Sequence, residues 1–101
     1  MTIRIDLSDS QDALYFDNDI PEGVSVSHPP VIIRKMFGVE PEHINIAVNF
    51  AEIISTGLLV NWLYDKLVKC KSNKITINKK TINFDKGRIT QIVEESITRK
   101  N

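Results

Sequence analysis

The stretch that decides the fold is Ile44–Leu67, with the sequence INIAVNFAEIISTGLLVNWLYDKL. It contains only three charged residues, Glu52, Asp65 and Lys66. Its first seven residues alternate between large apolar side chains and smaller or polar ones, which taken alone is typical of a β-strand. The remainder has the apolar spacing of an amphipathic helix, so the segment predicts the central element of the core.

We expect a helix from about residue 50 to residue 70, extending back to about residue 43 if the alternating opening is also helical. Its apolar side chains recur at helical spacing, and we expect that face to be buried. The side chains predicted to line this face are Ala51, Ile53, Ile54, Leu58, Val60, Trp62, Leu63 and Leu67.

The same stretch supports two other hypotheses. Ile44–Tyr64 is 21 residues long, enough to cross a bilayer, but it includes a carboxylate and three asparagines that are costly there. We therefore expect a buried helix in water and no membrane interaction. Glu52 is a candidate general acid or base if it is buried, although its spacing to Asn45, Asn49 and Ser55 favours an exposed polar helix face.

Shorter segments before this stretch predict strands and turns. Ile3, Ile5 and Leu7 alternate with polar residues, and Val24 and Val26 do the same. Residues 31–33 are β-branched and predict an edge strand, whereas residues 13–16 form either a helical turn or a strand. Between them, residues 17–23 carry the Asp, Asn, Pro and Gly typical of turns.

The C-terminal part predicts a β-hairpin followed by a helix. Pairing Ile77 with Ile82 places Ile75 opposite Phe84 and leaves Lys79 and Lys80 as the loop. Asp85 then predicts the N-cap of a helix with apolar residues at helical spacing over residues 89–97. The chain is therefore expected to be one α+β domain over residues 1–101: a small sheet packed on a central apolar helix, with a C-terminal hairpin and helix.

The charge of the chain is zero overall but divided between its halves. Residues 1–55 hold three basic and nine acidic residues, and residues 56–101 hold ten basic and four acidic ones. The two halves carry −6 and +6, which predicts one acidic and one basic surface if the halves do not interleave in space. Six of the nine acidic residues of the first half lie before residue 23, and such a surface attracts basic proteins.

Features associated with catalysis or metals are sparse. The single cysteine, Cys70, excludes an intramolecular disulfide and a cysteine-based zinc site. His28 and His43 lie in no metal-ligand or catalytic spacing, and the glycine-rich phosphate-binding and nucleophile motifs are missing. We expect no enzyme, no cofactor and no metal. The N-terminus lacks the pattern of a secretory signal, so we expect a cytoplasmic protein.

A lysine-rich stretch offers an alternative function. These lysines run from the end of the predicted helix into the hairpin and are able to contact phosphates, which predicts a nucleic-acid-binding regulator or antitoxin. No aromatic residue lies between them, and base stacking is correspondingly poor, so nucleic acid is the less favoured partner. The stretch comprises Lys66, Lys69, Lys71, Lys74, Lys79 and Lys80.

Gly57–Leu67, together with the hairpin and the last helix, resembles segments of small bacterial companion proteins. The overall profile is similar to immunity proteins of bacterial toxin systems, such as contact-dependent growth inhibition. The resemblance implies a short, single-domain inhibitor without catalysis, whose acidic face covers a basic toxin or nuclease domain. The overall neutrality of this chain departs from the more acidic members of that group.

The sequence thus predicts a protein-binding module that occludes a basic partner through its acidic N-terminal part. A small enzyme with an assembled site around Glu52 remains a second alternative to this function. The predicted contact residues are Asp9, Asp12, Asp17, Asp19 and Glu22.

Overall fold

A computed structural model describes residues 1–31, 42–51, 54–81 and 85–98 of the chain. The described strands and helices follow one another in an irregular order, unlike the regular strand–helix repeat of a parallel sheet. They are β1 (Thr2–Leu7), a 3₁₀ helix (Ser10–Asp17), β2 (Val24–Ser27), β3 (Ile44–Phe50), α1 (Thr56–Lys69), β4 (Ile75–Ile77), β5 (Lys80–Thr81) and α2 (Lys86–Thr98).

The strands form one antiparallel sheet in the order β2-β3-β1-β4-β5, which confirms the predicted α+β class. In the central strand β1, Ile3, Ile5 and Leu7 are fully buried. Arg4 and Asp6 lie on the opposite face, because successive side chains of a strand point to opposite sides. The sheet therefore has one apolar face, under the helices, and one polar face.

The predicted start of the central helix, near residue 50 or as early as residue 43, is wrong, because the helix begins at Thr56. Residues 44–50 form a strand in which Ile44, Ile46, Val48 and Phe50 are buried, and Asn45 is exposed. Pairing with both β1 and β2 allows the period-two pattern to bury these side chains. The opening alternation was thus the correct signal for this part of the stretch.

The helix of this stretch, α1, begins at Thr56 after its N-cap Ser55, whose Oγ accepts a hydrogen bond of 3.4 Å from the Leu58 backbone N–H. The predicted 21-residue apolar span is therefore divided between a strand and a helix. No helix in the described residues is long and apolar enough to cross a membrane. Glu52 and Ile53 lie outside the described residues, as do residues 32–33 of the predicted edge strand.

The hairpin forms with a different register from the predicted one. Ile77 pairs with Lys80, and the loop consists of Asn78 and Lys79, both with positive φ. Asparagine tolerates this backbone conformation better than most residues, and its Oδ1 accepts a hydrogen bond of 3.0 Å from the Arg4 backbone N–H. The predicted partners Ile82 and Phe84 lie outside the described residues.

The two α-helices pack together over the apolar face of the sheet. From α1, Leu59, Leu63 and Leu67 enter the core, and from α2 the buried residues are Ile89, Ile92 and Val93. The backbone carbonyl of Asp85 accepts the Ile89 N–H, and its side chain accepts the Gly87 N–H, as expected of the predicted N-cap. The 3₁₀ helix completes this layer by burying Ala13 and Phe16.

Candidate functional site

The candidate site is the chain segment Asp17–Glu22, which we call the acidic segment. It begins at the last residue of the 3₁₀ helix and lies along α1. Trp62 donates a hydrogen bond from Nε1 to the Asn18 carbonyl at 3.1 Å, and one helical turn further on Lys66 Nζ lies 3.2 Å from the Asp19 carboxylate. Two points on one face of α1 therefore fix the path of this segment.

The ion pair between Asp19 and Lys66 joins an exposed group to a buried one. The side chain of Asp19 is 85% exposed, whereas that of Lys66 is 2% exposed. Asp65 lies 3.5 Å from the same ammonium group, and its pKa is lowered, chiefly by the hydrogen bond from Lys69. The buried ammonium group of Lys66 therefore lies close to two carboxylates that remain on the surface.

Asp17, the first residue of the segment, is held by His28. The Nε2 atom of His28 lies 2.9 Å and 3.0 Å from the two carboxylate oxygens of Asp17, and Nδ1 lies 2.7 Å from the Pro29 carbonyl. The carboxylate of Asp17 nevertheless remains 44% exposed. This contact gives His28 a structural role, as its position before two prolines suggests.

Glu22 and two apolar side chains form the exposed end of the site. Leu58, which we expected in the core, is 52% exposed, and Ile20 is 39% exposed. Glu22, Gly23 and Leu58 share a shallow cavity of about 520 Å³. Gly23 has a φ of +88°, so this turn favours glycine. The acidic segment thus ends beside exposed apolar surface.

Asp12 does not present its carboxylate to a partner in this structure. It is 2% exposed, and its Oδ2 atom accepts hydrogen bonds from the backbone N–H groups of Lys71 and Ser72 at 2.9 and 2.7 Å, and from the Ser72 hydroxyl at 2.6 Å. These bonds tie the 3₁₀ helix to the chain that leaves α1. We therefore exclude Asp12 from the candidate contact surface.

Asp9 is also engaged within the fold, although it is only half-buried. Its carboxylate caps the 3₁₀ helix by accepting the Gln11 backbone N–H at 3.0 Å, and its own N–H donates to Ser72 Oγ. Of the five predicted contact residues, the structure brings Asp17, Asp19 and Glu22 together on the acidic segment. Asp9 and Asp12 lie at the start of the 3₁₀ helix instead.

The two oppositely charged halves interleave in space. Strand β1, from the acidic half, pairs directly with β4 of the basic half. The predicted lysine stretch is divided as well: Lys66 is buried, Lys69 is paired with Asp65, and Lys80 lies 3.6 Å from Glu95. The expectation of two surfaces separated by sequence half is therefore wrong.

Sequence reasoning missed a group of cations that the sheet brings together. Arg4 from β1 joins Lys74 and Lys79, which flank β4, at a cavity on the polar sheet face. His43 lies there too, immediately before β3, whereas a helix reaching back to about residue 43 would have placed it at a helix start. The alternation in β1 places Arg4 and Asp6 on one face, but the partner strands and their register are not evident from sequence.

Cys70 lacks the environment of a nucleophile. It is partly buried, and its Sγ donates a hydrogen bond of 3.4 Å to the Lys66 carbonyl. Burial raises the pKa of this thiol to about 12, and the nearby carboxylates of Asp12 and Asp9 contribute to the rise. The neighbouring lysines therefore do not activate Cys70 in the folded protein.

We expect Cys70 to react with iodoacetamide at pH 8 at least 100-fold more slowly in the folded protein than in urea. Only the thiolate reacts, and a pKa near 12 leaves far less thiolate than the ordinary value near 8.5. The rate is measured by mass spectrometry of quenched samples. Equal rates in the folded and unfolded protein would show that the thiol is not protected.

Comparison with known protein families, curated proteins and solved structures finds no match for this chain. The resemblance to bacterial immunity proteins therefore stays a prediction, and the site is described from its own geometry.

Proposed function

We propose that this chain is a non-catalytic protein-binding module that covers a basic site on a protein partner. The observation that carries the proposal is the acidic segment itself, which α1 holds at Asn18 and Asp19 and which exposes carboxylates together with the side chain of Ile20. Its end at Glu22 shares a cavity with the exposed Leu58. Protein interfaces typically combine apolar anchors with a charged rim. The carboxylates would select and steer a basic partner, and the apolar side chains would contribute to the lifetime of the complex.

The fixed path of the segment favours this function energetically. Asn18 and Asp19 are held by α1, Asp17 is held by His28, and the Val24 N–H donates to the Pro21 carbonyl at 3.1 Å. A segment that is already ordered loses less conformational entropy when it binds. The contacts with His28 and Lys66 leave the carboxylates of Asp17 and Asp19 exposed, so they remain available to a second cation.

The class of partner follows from the resemblance to immunity proteins. The proposed partner is a toxin whose cationic active site or nucleic-acid-binding surface is occluded by the acidic segment. Inhibition by occlusion requires no catalytic group on this chain. Because the contacts are in part electrostatic, we expect salt to weaken the complex.

The test compares a glutamate of the acidic segment, Glu22, with a similarly exposed glutamate of α2, Glu94. Glu22 and Glu94 are both exposed, and neither side chain is paired within the described residues. The partner is captured on this chain from an extract of the native host at low salt, released by high salt and identified by mass spectrometry. It is then purified, and its binding to each variant of this chain is measured by calorimetric titration. We expect Glu22→Lys to weaken binding about threefold to tenfold and to reduce its salt dependence, because it reverses a charge at the contact. Glu94→Lys should leave the affinity within twofold.

A second pair of variants in the same titration examines the apolar anchor. Leu58 and Val68 are both exposed on α1, at 52% and 49%. Leu58→Ser should weaken binding at least tenfold, as expected for an anchor at the centre of an interface, and Val68→Ser should not. Equal effects of the two glutamate variants, or of the two α1 variants, would contradict the proposed surface.

A further inference from the structure

We propose that the polar face of the sheet carries a second binding site, which takes a small phosphate monoester bearing a hydroxyl or amino group. The site is a cavity of about 410 Å³, within the range of small-molecule sites and larger than inorganic phosphate needs. It lies on the sheet face opposite the helices, away from the acidic segment. The residues that line the cavity are Arg4, Asp6, His43, Asn45, Lys74, Thr76 and Lys79.

The strand register arranges these side chains in rows across the sheet. Asn45, Asp6 and Thr76 form the middle row, because Asp6 pairs with Asn45 on β3 and with Thr76 on β4. Lys74 and His43 lie two residues before Thr76 and Asn45, immediately before β4 and β3. Arg4 precedes Asp6 by two residues on the antiparallel strand, and so it lies on the other side of the row. Side chains two residues apart on a strand are separated by about 7 Å.

The cations of this cavity are not neutralised by the fold. Within the described residues, Arg4, Lys74 and Lys79 take part in no ion pair. The turn places Lys79 beside Arg4 through two bonds of Asn78, whose Oδ1 accepts the Arg4 N–H at 3.0 Å and whose N–H donates to the Arg4 carbonyl at 2.8 Å. The turn therefore holds Lys79 beside Arg4, whereas Asp6, in the middle row, lies between Arg4 and Lys74.

The charge of the cavity matches one phosphate monoester. With His43 neutral, the three cations and Asp6 sum to a net charge of +2. A phosphate monoester carries about −1.5 to −2 at neutral pH. Arginine and lysine are the residues that proteins use to bind phosphate oxygens, the former through paired donors. A dianion of this kind would neutralise the site.

Asp6 determines what the rest of the ligand must offer. Its Oδ2 accepts a hydrogen bond of 3.0 Å from the Thr76 hydroxyl, whereas Oδ1 accepts none from the described residues. A carboxylate oxygen repels phosphate but accepts a hydrogen bond from a hydroxyl or amino group. A phosphorylated sugar or nucleotide supplies both groups, and a second cavity sharing Arg4 and Lys79 extends the available groove.

The proposal is tested by titrating the ¹⁵N-labelled chain with glucose 6-phosphate and adenosine 5′-monophosphate, with glucose and adenosine as unphosphorylated controls. We expect saturable shifts of the amide signals around Arg4, Asp6 and Thr76, with a Kd below about 1 mM for a phosphorylated probe. Neither unphosphorylated control should bind. The same spectra show whether each variant is folded, so a lost titration is not confused with unfolding.

Two exposed lysines provide the matched control. Lys74→Gln should weaken binding at least fivefold, whereas Lys71→Gln should leave it within twofold, because the Lys71 side chain lies outside the cavity. Arg4→Gln should act like Lys74→Gln. With inorganic phosphate as the probe, Asp6→Asn should have the opposite effect on affinity: it should tighten phosphate binding.

Three results would overturn the proposal. One is that neither phosphorylated probe causes a saturable shift. Another is an equal loss of affinity in Lys71→Gln and Lys74→Gln. The third is tighter binding of a ten-nucleotide RNA, with shifts spread over lysines outside the cavity, which would indicate a nucleic-acid surface instead.

Discussion

Replacing Asp12 by alanine is expected to lower the free energy of unfolding by about 3 kcal/mol. The buried Oδ2 atom of Asp12 accepts from two backbone N–H groups and one hydroxyl, at Lys71 and Ser72. Alanine leaves these donors without their acceptor in a site that is 2% exposed, and it disconnects the 3₁₀ helix from the chain after α1. Hydrogen bonds to a charged acceptor contribute more than neutral ones, which accounts for the size of the effect.

The measurement is urea denaturation followed by circular dichroism, with an unchanged m-value as the sign that the unfolding transition is the same. Asp17→Ala is the control, because Asp17 ends the same 3₁₀ helix but is 44% exposed. That substitution should cost no more than about 1 kcal/mol. If both variants lose the same stability, Asp12 is not the connection described above.

The second large effect is expected from Trp62, the single tryptophan of the chain. Its indole is 7% exposed and meets the Phe16 ring edge-to-face, with 6.0 Å between the ring centroids. Trp62→Ala should lower the free energy of unfolding by about 4 kcal/mol, because it removes a large buried side chain and leaves a cavity. The loss is measured by the same denaturation experiment.

Trp62→Phe separates the hydrogen bond from the packing. Phenylalanine keeps an aromatic ring beside Phe16 but lacks the N–H that donates to the Asn18 carbonyl. We expect this variant to lose about 1 kcal/mol of stability. We also expect faster hydrogen exchange of the backbone amides in the acidic segment. A stability within 1 kcal/mol of wild type for Trp62→Ala would contradict the packing described here.

The fold class was predictable because apolar periodicity is a local property of the chain. The alternation of Ile3, Ile5 and Leu7 and the helical spacing after residue 56 both agree with the structure. The alternation over residues 44–50 was the same kind of local signal, but it did not show that the strand ends at Phe50 and that the helix begins only at Thr56. The hairpin register depends on a contact between Asn78 and Arg4, 74 residues apart.

The candidate site was only partly predictable for a related reason. Composition identified the acidic residues, but not that Asp12 is buried, because its three donors lie about 60 residues away. Nor did the helical pattern show that Leu58 faces solvent, since that depends on where neighbouring elements end. The cationic cavity arises from the strand order and register and from the turn that carries Lys79. Charge counted along the chain therefore gave a poor description of charge on the surface.

We propose that the acidic segment and Leu58 contact a basic partner. Amide hydrogen exchange of the chain, alone and in complex with the protein that salt releases from it, maps this contact along the chain. We expect slower exchange over residues 17–23 and 54–58 in the complex, with little change around Arg4 and Thr76 in the sheet. Protection confined to the strands, or the absence of any partner that salt releases, would contradict this proposal.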